Sequence, residues 1–183
     1  MKKVMTGLIA LAFVASCFLI MTSCASQQTT QGTGEAKMQQ GAEEGKGAPP
    51  GGFTKEEQMS PAQVNEMTQK LAKFNNEKIY FAFDRSDLTD QSKAVLKDKA
   101  DFLGLYKFYT LRIEGHCDER GTNDYNLALG DRRANAAKKY LMALGITEDR
   151  IKTVTYGEER PANPGHNESA WAQNRRDEFV AIR

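Results

Sequence analysis

Between Glu114 and Asn126 the chain reads Glu-Gly-His-Cys-Asp-Glu-Arg-Gly-Thr-Asn-Asp-Tyr-Asn, its densest run of groups able to carry charge, move protons or ligate metal. Three catalytic chemistries can be weighed there. A nucleophile pair from Cys117 and His116 is disfavoured because adjacent residues leaving a strand point to opposite faces, and the only other histidine is His166. A zinc centre needs three or four ligands, and two histidines with one free cysteine supply them poorly, so no metal and no cofactor are expected. Asp118 and Glu119 as a glycosidase pair would have to flank one bond at about 5–10 Å separation, which neighbouring residues seldom do. Catalysis is therefore not expected.

Binding suits the same residues better. Asp118 lies just past the end of an expected strand, where α/β sheets place ligands. On the helix that follows, Asn126, Gly130 and Arg133 are spaced i, i+4, i+7 and share one face. The core stripe expected on that helix is Leu127, Ala134, Leu141 and Leu144. Gly130 costs about 1 kcal/mol relative to Ala inside a helix. Two reasons for keeping it stay open: close approach of a ligand between Asn126 and Arg133, or relief of crowding. An anion and a fork-shaped cation at one cleft suit a zwitterion, with Asp118 taking an ammonium and Arg133 holding a carboxylate in bidentate fashion. Asp84-Arg85-Ser86-Asp87, after the first strand, would add backbone N–H donors. The competing reading is a plain Asp118–Arg133 salt bridge.

The elements that must position these residues are legible from periodicity. Ser60-Pro61 opens a helix as N-cap and first helical residue, with Val64, Met67, Leu71 and Phe74 as its apolar stripe. Strands are expected at Ile79–Phe83, Tyr109–Glu114, Ile151–Tyr156 and Phe179–Ile182. Helices are expected from Thr89 to about Leu105, with Val95, Leu96, Ala100 and Leu103 inward, and from Asn123 or Asp124 to about Leu144, with Gly145 as the C′ residue. A short helix capped by Asn167 runs to about Asn174. The order β-α-β-α-β-α-β describes one α/β domain, a sheet with helices packed on it.

Upstream, the composition changes. Lys2 and Lys3 precede an apolar run from Val4 to Met21 and then Thr22-Ser23-Cys24, which reads as an export leader, residues 1–23. A transmembrane anchor is the alternative, since the run approaches the roughly 20 residues that span a bilayer. Met21-Thr22-Ser23-Cys24 resembles a bacterial lipobox, lacking its favoured Leu, and makes Cys24 the expected lipidated residue. Val14-Ala15-Ser16-Cys17 competes with it, but cleavage there would leave Phe18-Leu19-Ile20-Met21 at the mature end. With Cys17 removed and Cys24 acylated, Cys117 stays alone and no intramolecular disulfide can form. Residues 24–59, rich in Gln, Gly, Thr, Ala and Glu, are expected to form a flexible linker with an r.m.s. span of roughly 30–35 Å. The folded domain is expected at 60–183, with an N-terminal helix over 60–76 and a core over 77–183. The whole chain carries 25 basic and 24 acidic side chains, and Glu77 to Arg183 carries 18 of each. A neutral domain of this kind is not built for long-range attraction to nucleic acid or to an anionic membrane.

The stretch Gly115-His116-Cys117-Asp118-Glu119-Arg120-Gly121-Thr122 closely resembles the peptidoglycan-associated lipoprotein family, and so do Tyr125-Asn126, Leu129-Gly130 and Arg132-Arg133-Ala134. Thr155-Tyr156-Gly157-Glu158-Glu159-Arg160-Pro161, Asn174-Arg175-Arg176 and Phe81-Ala82-Phe83-Asp84 extend the match over about 79–183, and the leader agrees with it. The resemblance implies an OmpA-like sandwich with a mixed four-stranded sheet, and non-covalent binding of peptidoglycan stems through diaminopimelate. By motif position it implies Asp118 as the ammonium-binding residue and Arg133 as the carboxylate-binding one. Asp84, Asn126 and one of Arg175 and Arg176, taken here as Arg176, would line the same pocket. It also implies an outer-membrane lipid anchor, a periplasmic domain, and docking to TolB and other Tol proteins during division. Asp177-Glu178-Phe179 is more acidic than that family's strand. A pure interaction module, with a protein as main ligand, is the competing class, and a hydrolase is the third.

Overall fold

A computed structural model describes residues 51–183; the leader, Cys17, Cys24 and the expected linker up to residue 50 lie outside the described residues. Helix α1 (Pro61–Asn76) opens on a reciprocal cap: Ser60 Oγ accepts from Gln63 N, and Gln63 Oε1 accepts from Ser60 N at 2.9 Å. Strand β1 (Ile79–Tyr80) leads to α2 (Asp90–Leu105), capped by Thr89. Strand β2 (Thr110–His116) is followed by α3 (Asn123–Ala143), capped by Thr122. Strand β3 (Ile151–Gly157), α4 (Glu168–Asn174) and β4 (Arg176–Ile182) complete the order. The end of α3 is a Schellman turn: Gly145 has φ +95°, Gly145 N donates to Met142 O, and buried Ile146 donates to Leu141 O at 3.1 Å.

The sheet order is β1-β4-β2-β3, with β2 and β3 parallel and β4 antiparallel to both its neighbours. The architecture is thus the expected mixed four-stranded sheet with helices packed on it. Strand alternation divides the sheet's two faces. Leu111, Ile113, Ile151 and Phe179 face the helices and join Phe74, Leu96, Leu103, Ala134, Ala137 and Leu141 in one core. Arg112, Glu114, His116, Tyr156, Arg176 and Glu178 take the alternate positions and form a polar opposite face.

Four expectations need correction. Strand β1 ends at Tyr80, not Phe83, because the carbonyls beyond it are taken by guanidinium groups. Arg175 Nε donates to Phe81 O at 3.1 Å, and Arg133 donates to Ala82 O and Arg85 O at 3.2 and 2.9 Å. Strand β4 starts at Arg176, three residues earlier than its apolar run suggests, since ladder pairing with β1 and β2 overrides the poor strand preference of Asp177 and Glu178. The buried stripe of α3 is Asn126, Leu129, Gly130, Arg133, Ala134, Ala137 and Leu141, whereas Leu127 is half-buried and Leu144 exposed. The packed body also reaches back into the expected linker. Phe53 is buried, stacks on Tyr106, and exchanges backbone bonds with Leu105 O and Lys107 N at 2.6 and 2.8 Å.

Lys99 is the charged residue on the buried side of α2, where Ser92 is a second buried polar side chain. Its side chain is buried, with Nζ donating to Phe74 O at 2.5 Å and lying 4.5 and 4.4 Å from the Phe74 and Phe179 ring centres. Burial nevertheless pulls its pKa from 10.5 to about 8. Below pH 8 both folded and unfolded states hold the proton and the burial penalty is fully present. Between about 8 and 10.5 the unfolded chain binds more protons, so this residue makes stability rise with pH there. Lys99→Met should therefore be more stable than wild type at pH 7, by about 1–3 kcal/mol, with the advantage vanishing near pH 10.5. Urea midpoints at pH 7 and pH 10 check this; a pH-independent difference would contradict it.

Candidate functional site

Strand parity explains where the polar residues go. Phe179 points at the helices, so Asp177 shares its side, while Arg176 and Glu178 turn to the opposite face and Arg175, one residue before β4, falls on the helix side. Arg175, not Arg176, consequently lines the cleft at the end of β2, a cavity of about 190 Å³. Asp84, Asp118, Asn126 and Arg133 line the same cavity, together with Phe83, Arg120 and Tyr125. Arg176 instead donates to Glu178 Oε1 at 2.7 Å and to Arg160 O at 3.2 Å.

Asp118 is 4% exposed and Arg133 fully buried, yet the two do not form the plain salt bridge that was the competing reading. Asp118 accepts from Arg120 through backbone N, Nε and Nη2, at 3.1, 3.1 and 2.7 Å, and from Arg175 Nη1 at 3.0 Å. Burial pushes its carboxyl pKa up, but the hydrogen bonds from Arg120 and Arg175 outweigh that and hold it below the ordinary value. Arg120 covers the carboxylate like a plug. Its guanidinium lies 4.0 Å from the Phe83 ring centre and 4.2 Å from that of Trp171.

Arg133 departs from expectation in its geometry. Nε donates to Arg85 O, Nη1 to His116 O at 2.8 Å and to Cys117 Sγ at 3.4 Å, and Nη2 to Ala82 O. Four of the five N–H groups of a guanidinium are committed inward. One remains on Nη2, enough for a single bond to a carboxylate rather than the bidentate fork. Arg133 thus braces the Ala82–Arg85 turn that carries Asp84. That turn places Asp84 at φ +56°, the left-handed region, where Asp is among the better tolerated residues. Its carboxylate accepts from the Tyr125 hydroxyl across the cleft mouth.

Asn126, 1% exposed, shares its amide N–H groups among Asp118 O, Arg120 O and Glu158 Oε2, tying two loops together beneath the cleft. Glu119 reaches the other way, accepting from Trp171 Nε1 at 2.9 Å and pairing with His166 Nδ1 at 2.7 Å, which anchors α4 beside Arg120. Sequence reading passed over Arg120, Trp171 and Glu119 as a unit, because stacking between separate elements leaves no spacing signal.

The two open reasons for Gly130 are now separable. A methyl there would stand 2.9 Å from Gly115 O and closer still to Thr155 Oγ1, and Gly130 does not line the cavity. It is kept for close packing of α3 on the sheet. Cys117 and His116 are also apart in function. The Cys117 thiol donates to Asn126 O at 3.2 Å and burial pushes its pKa up to about 11, while burial drops His116 to about 4 as it stacks on Tyr156. A thiol held protonated is no nucleophile at neutral pH.

Comparison with known proteins adds three findings. The model of the OmpA family matches residues 80–175. The peptidoglycan-associated lipoprotein of Mesorhizobium japonicum is 40% identical over 117 residues, 64% of this chain and 67% of that one; its Pseudomonas aeruginosa counterpart is 47% identical over 101 residues, 55% and 59% of the two chains. The crystal structure of the peptidoglycan-associated lipoprotein from Burkholderia pseudomallei superposes with a TM-score of 0.59 at 39% identity, covering 65% of this chain and 98% of that one. The alignments span roughly three-fifths to two-thirds of the curated relatives' lengths. The matched family segment runs from β1 to the end of α4 and contains every cleft residue, and on that ground the chain belongs to the OmpA family, among its peptidoglycan-associated lipoproteins.

Proposed function

We propose that this chain ties the outer membrane to the cell wall, held in the membrane by lipid on Cys24 and binding peptidoglycan non-covalently through its cleft. The ligand is the free end of diaminopimelate, with its ammonium on Asp118 and its carboxylate on the remaining N–H of Arg133. What supports this is one observation above the rest: a buried carboxylate and a buried guanidinium line a single cavity yet are not spent on each other. Asp84 and Tyr125 sit at the mouth, and Asn126 and Arg175 hold the floor. The reading is of binding, not catalysis; the protonated Cys117 supports it, and incubation with peptidoglycan should release no soluble muropeptide. By the same resemblance the domain docks TolB and other Tol proteins from the periplasmic side of the outer membrane, which retention on immobilised TolB would test.

Calorimetric titration with two muropeptides tests the ligand. A lysine stem keeps the ammonium and lacks the terminal carboxylate. It should bind about 10–100-fold more weakly than the diaminopimelate stem, the worth of one hydrogen bond to a charged group. Equal affinity for the two stems would remove Arg133 from the site.

A further inference from the structure

We propose that Glu114, His116 and Glu178, on the sheet face turned away from the helices, form a binding site for a divalent transition-metal ion such as zinc. Strands β2 and β4 pair Glu114 directly with Glu178, and His116 lies two residues along β2 on the same face. One ligand atom from each of the three lies within 4.8 Å of the others. Tetrahedral zinc with bonds of about 2.0–2.2 Å sets its ligand atoms about 3.3–3.6 Å apart. The closure needed is a little over an ångström, within the reach of glutamate side-chain rotation.

His116 is the residue that points to a ligand. It is 2% exposed, and neither ring nitrogen has a hydrogen-bond partner. Buried polar groups are nearly always satisfied, and a neutral imidazole nitrogen is the commonest donor to such metals. Stacking on Tyr156, at 5.4 Å between ring centres, fixes the plane of the ring. Both carboxylates are oriented from behind, as ligating carboxylates usually are. Arg112 Nε donates to Glu114 Oε1, and Lys78 Nζ and Arg176 Nε donate to Glu178 Oε1, each at 2.7 Å. Every one of these bonds goes to Oε1, which leaves the second oxygen of each carboxylate for a metal. The three cations also repel an incoming dication, so the affinity belongs below that of a closed four-ligand structural site. One nitrogen and two oxygens leave a fourth position for water or for a donor from another molecule. Counting only histidine and cysteine hid this set in the sequence, because the strand pairing that joins Glu178 to Glu114 is not local.

The test titrates the full-length chain with Zn²⁺ against a chromophoric chelator, and with Co²⁺ followed by visible absorption. Wild type should bind a single equivalent in a Glu178-dependent manner, with cobalt bands free of thiolate charge transfer. Glu178→Gln, at a half-buried position, should weaken it by at least about 10–100-fold with an unchanged circular dichroism spectrum, as should His116→Asn. His166→Gln should leave it unchanged. Absence of binding by wild type, wild-type affinity in Glu178→Gln, or loss in His166→Gln instead would each overturn the site. Should His116→Asn fail to fold, Glu178→Gln decides alone.

Discussion

Asp118→Asn should lower affinity for diaminopimelate muropeptides by about 100-fold, or roughly 3 kcal/mol, the range for truncating one partner of a buried charged contact. The amide keeps the shape but loses the charge and half the acceptor capacity of a group that now receives bonds from Arg120 and Arg175. Arg175 is not left wholly unpaired, because its Nη2 still donates to Glu168 Oε1 at 2.6 Å. The variant should therefore fold with a reduced urea midpoint, and binding is read at a temperature where circular dichroism is native. A second substitution separates the binding role from the structural one. Arg120→Ala removes the group that plugs Asp118 and should bind the ammonium-bearing stem more tightly than wild type. Wild-type affinity in Asp118→Asn, or weaker binding in Arg120→Ala, would show that the ammonium does not go where Arg120 now lies.

Gly115→Ala should be the most destabilising single methyl addition in the domain, by at least about 3 kcal/mol. The new Cβ would fall far inside contact distance of the Gly130 carbonyl oxygen and against the Gly130 backbone, which has no rotamer through which to yield. Helix α3 would have to lift from β2, opening the core between them. Gly130→Ala tests the same contact from the other side and has the merit of opposed expectations. Helix propensity alone predicts a gain of about 1 kcal/mol. The 2.9 Å approach of its Cβ to Gly115 O, together with the tighter clash on Thr155 Oγ1, predicts a loss several times larger. Denaturation midpoints decide the sign. Because Asn126 and Arg133 flank Gly130 on α3, both variants should also weaken ligand binding in any fraction that folds.

Local pattern carried far in this chain. The N-caps Ser60, Thr89 and Asn167 and the C′ Gly145 all stand where residue type put them, since capping is a contact within three or four residues. The β-α-β alternation and the placing of Asp118 at a strand end beside the helix face of Asn126 and Arg133 were legible for the same reason, strand ends and helix faces being set by short periods, whereas Asp84 as a lining residue came from the family resemblance. Leu144 misled because the stripe was drawn a turn too far and rotated toward Leu127, when two polar side chains and a glycine occupy the true inner face of α3. Apolar counting cannot find a core that is partly made of Asn126 and Arg133.

What the sequence determined by itself was therefore the set of elements, the family resemblance and the position of the polar cluster, all readable from neighbours in the chain. Tertiary structure alone decided how the charges are spent. Arg175 rather than Arg176 faces the cleft because β4 begins inside a charged run and alternation then assigns the sides. Arg120 covers Asp118 because Phe83 and Trp171, from two other elements, sandwich its guanidinium. Arg133 spends four N–H groups on carbonyls and a thiol that no spacing rule could locate. A guanidinium or carboxylate takes whichever partners the fold brings within about 3 Å, and that choice is made between segments far apart in the chain.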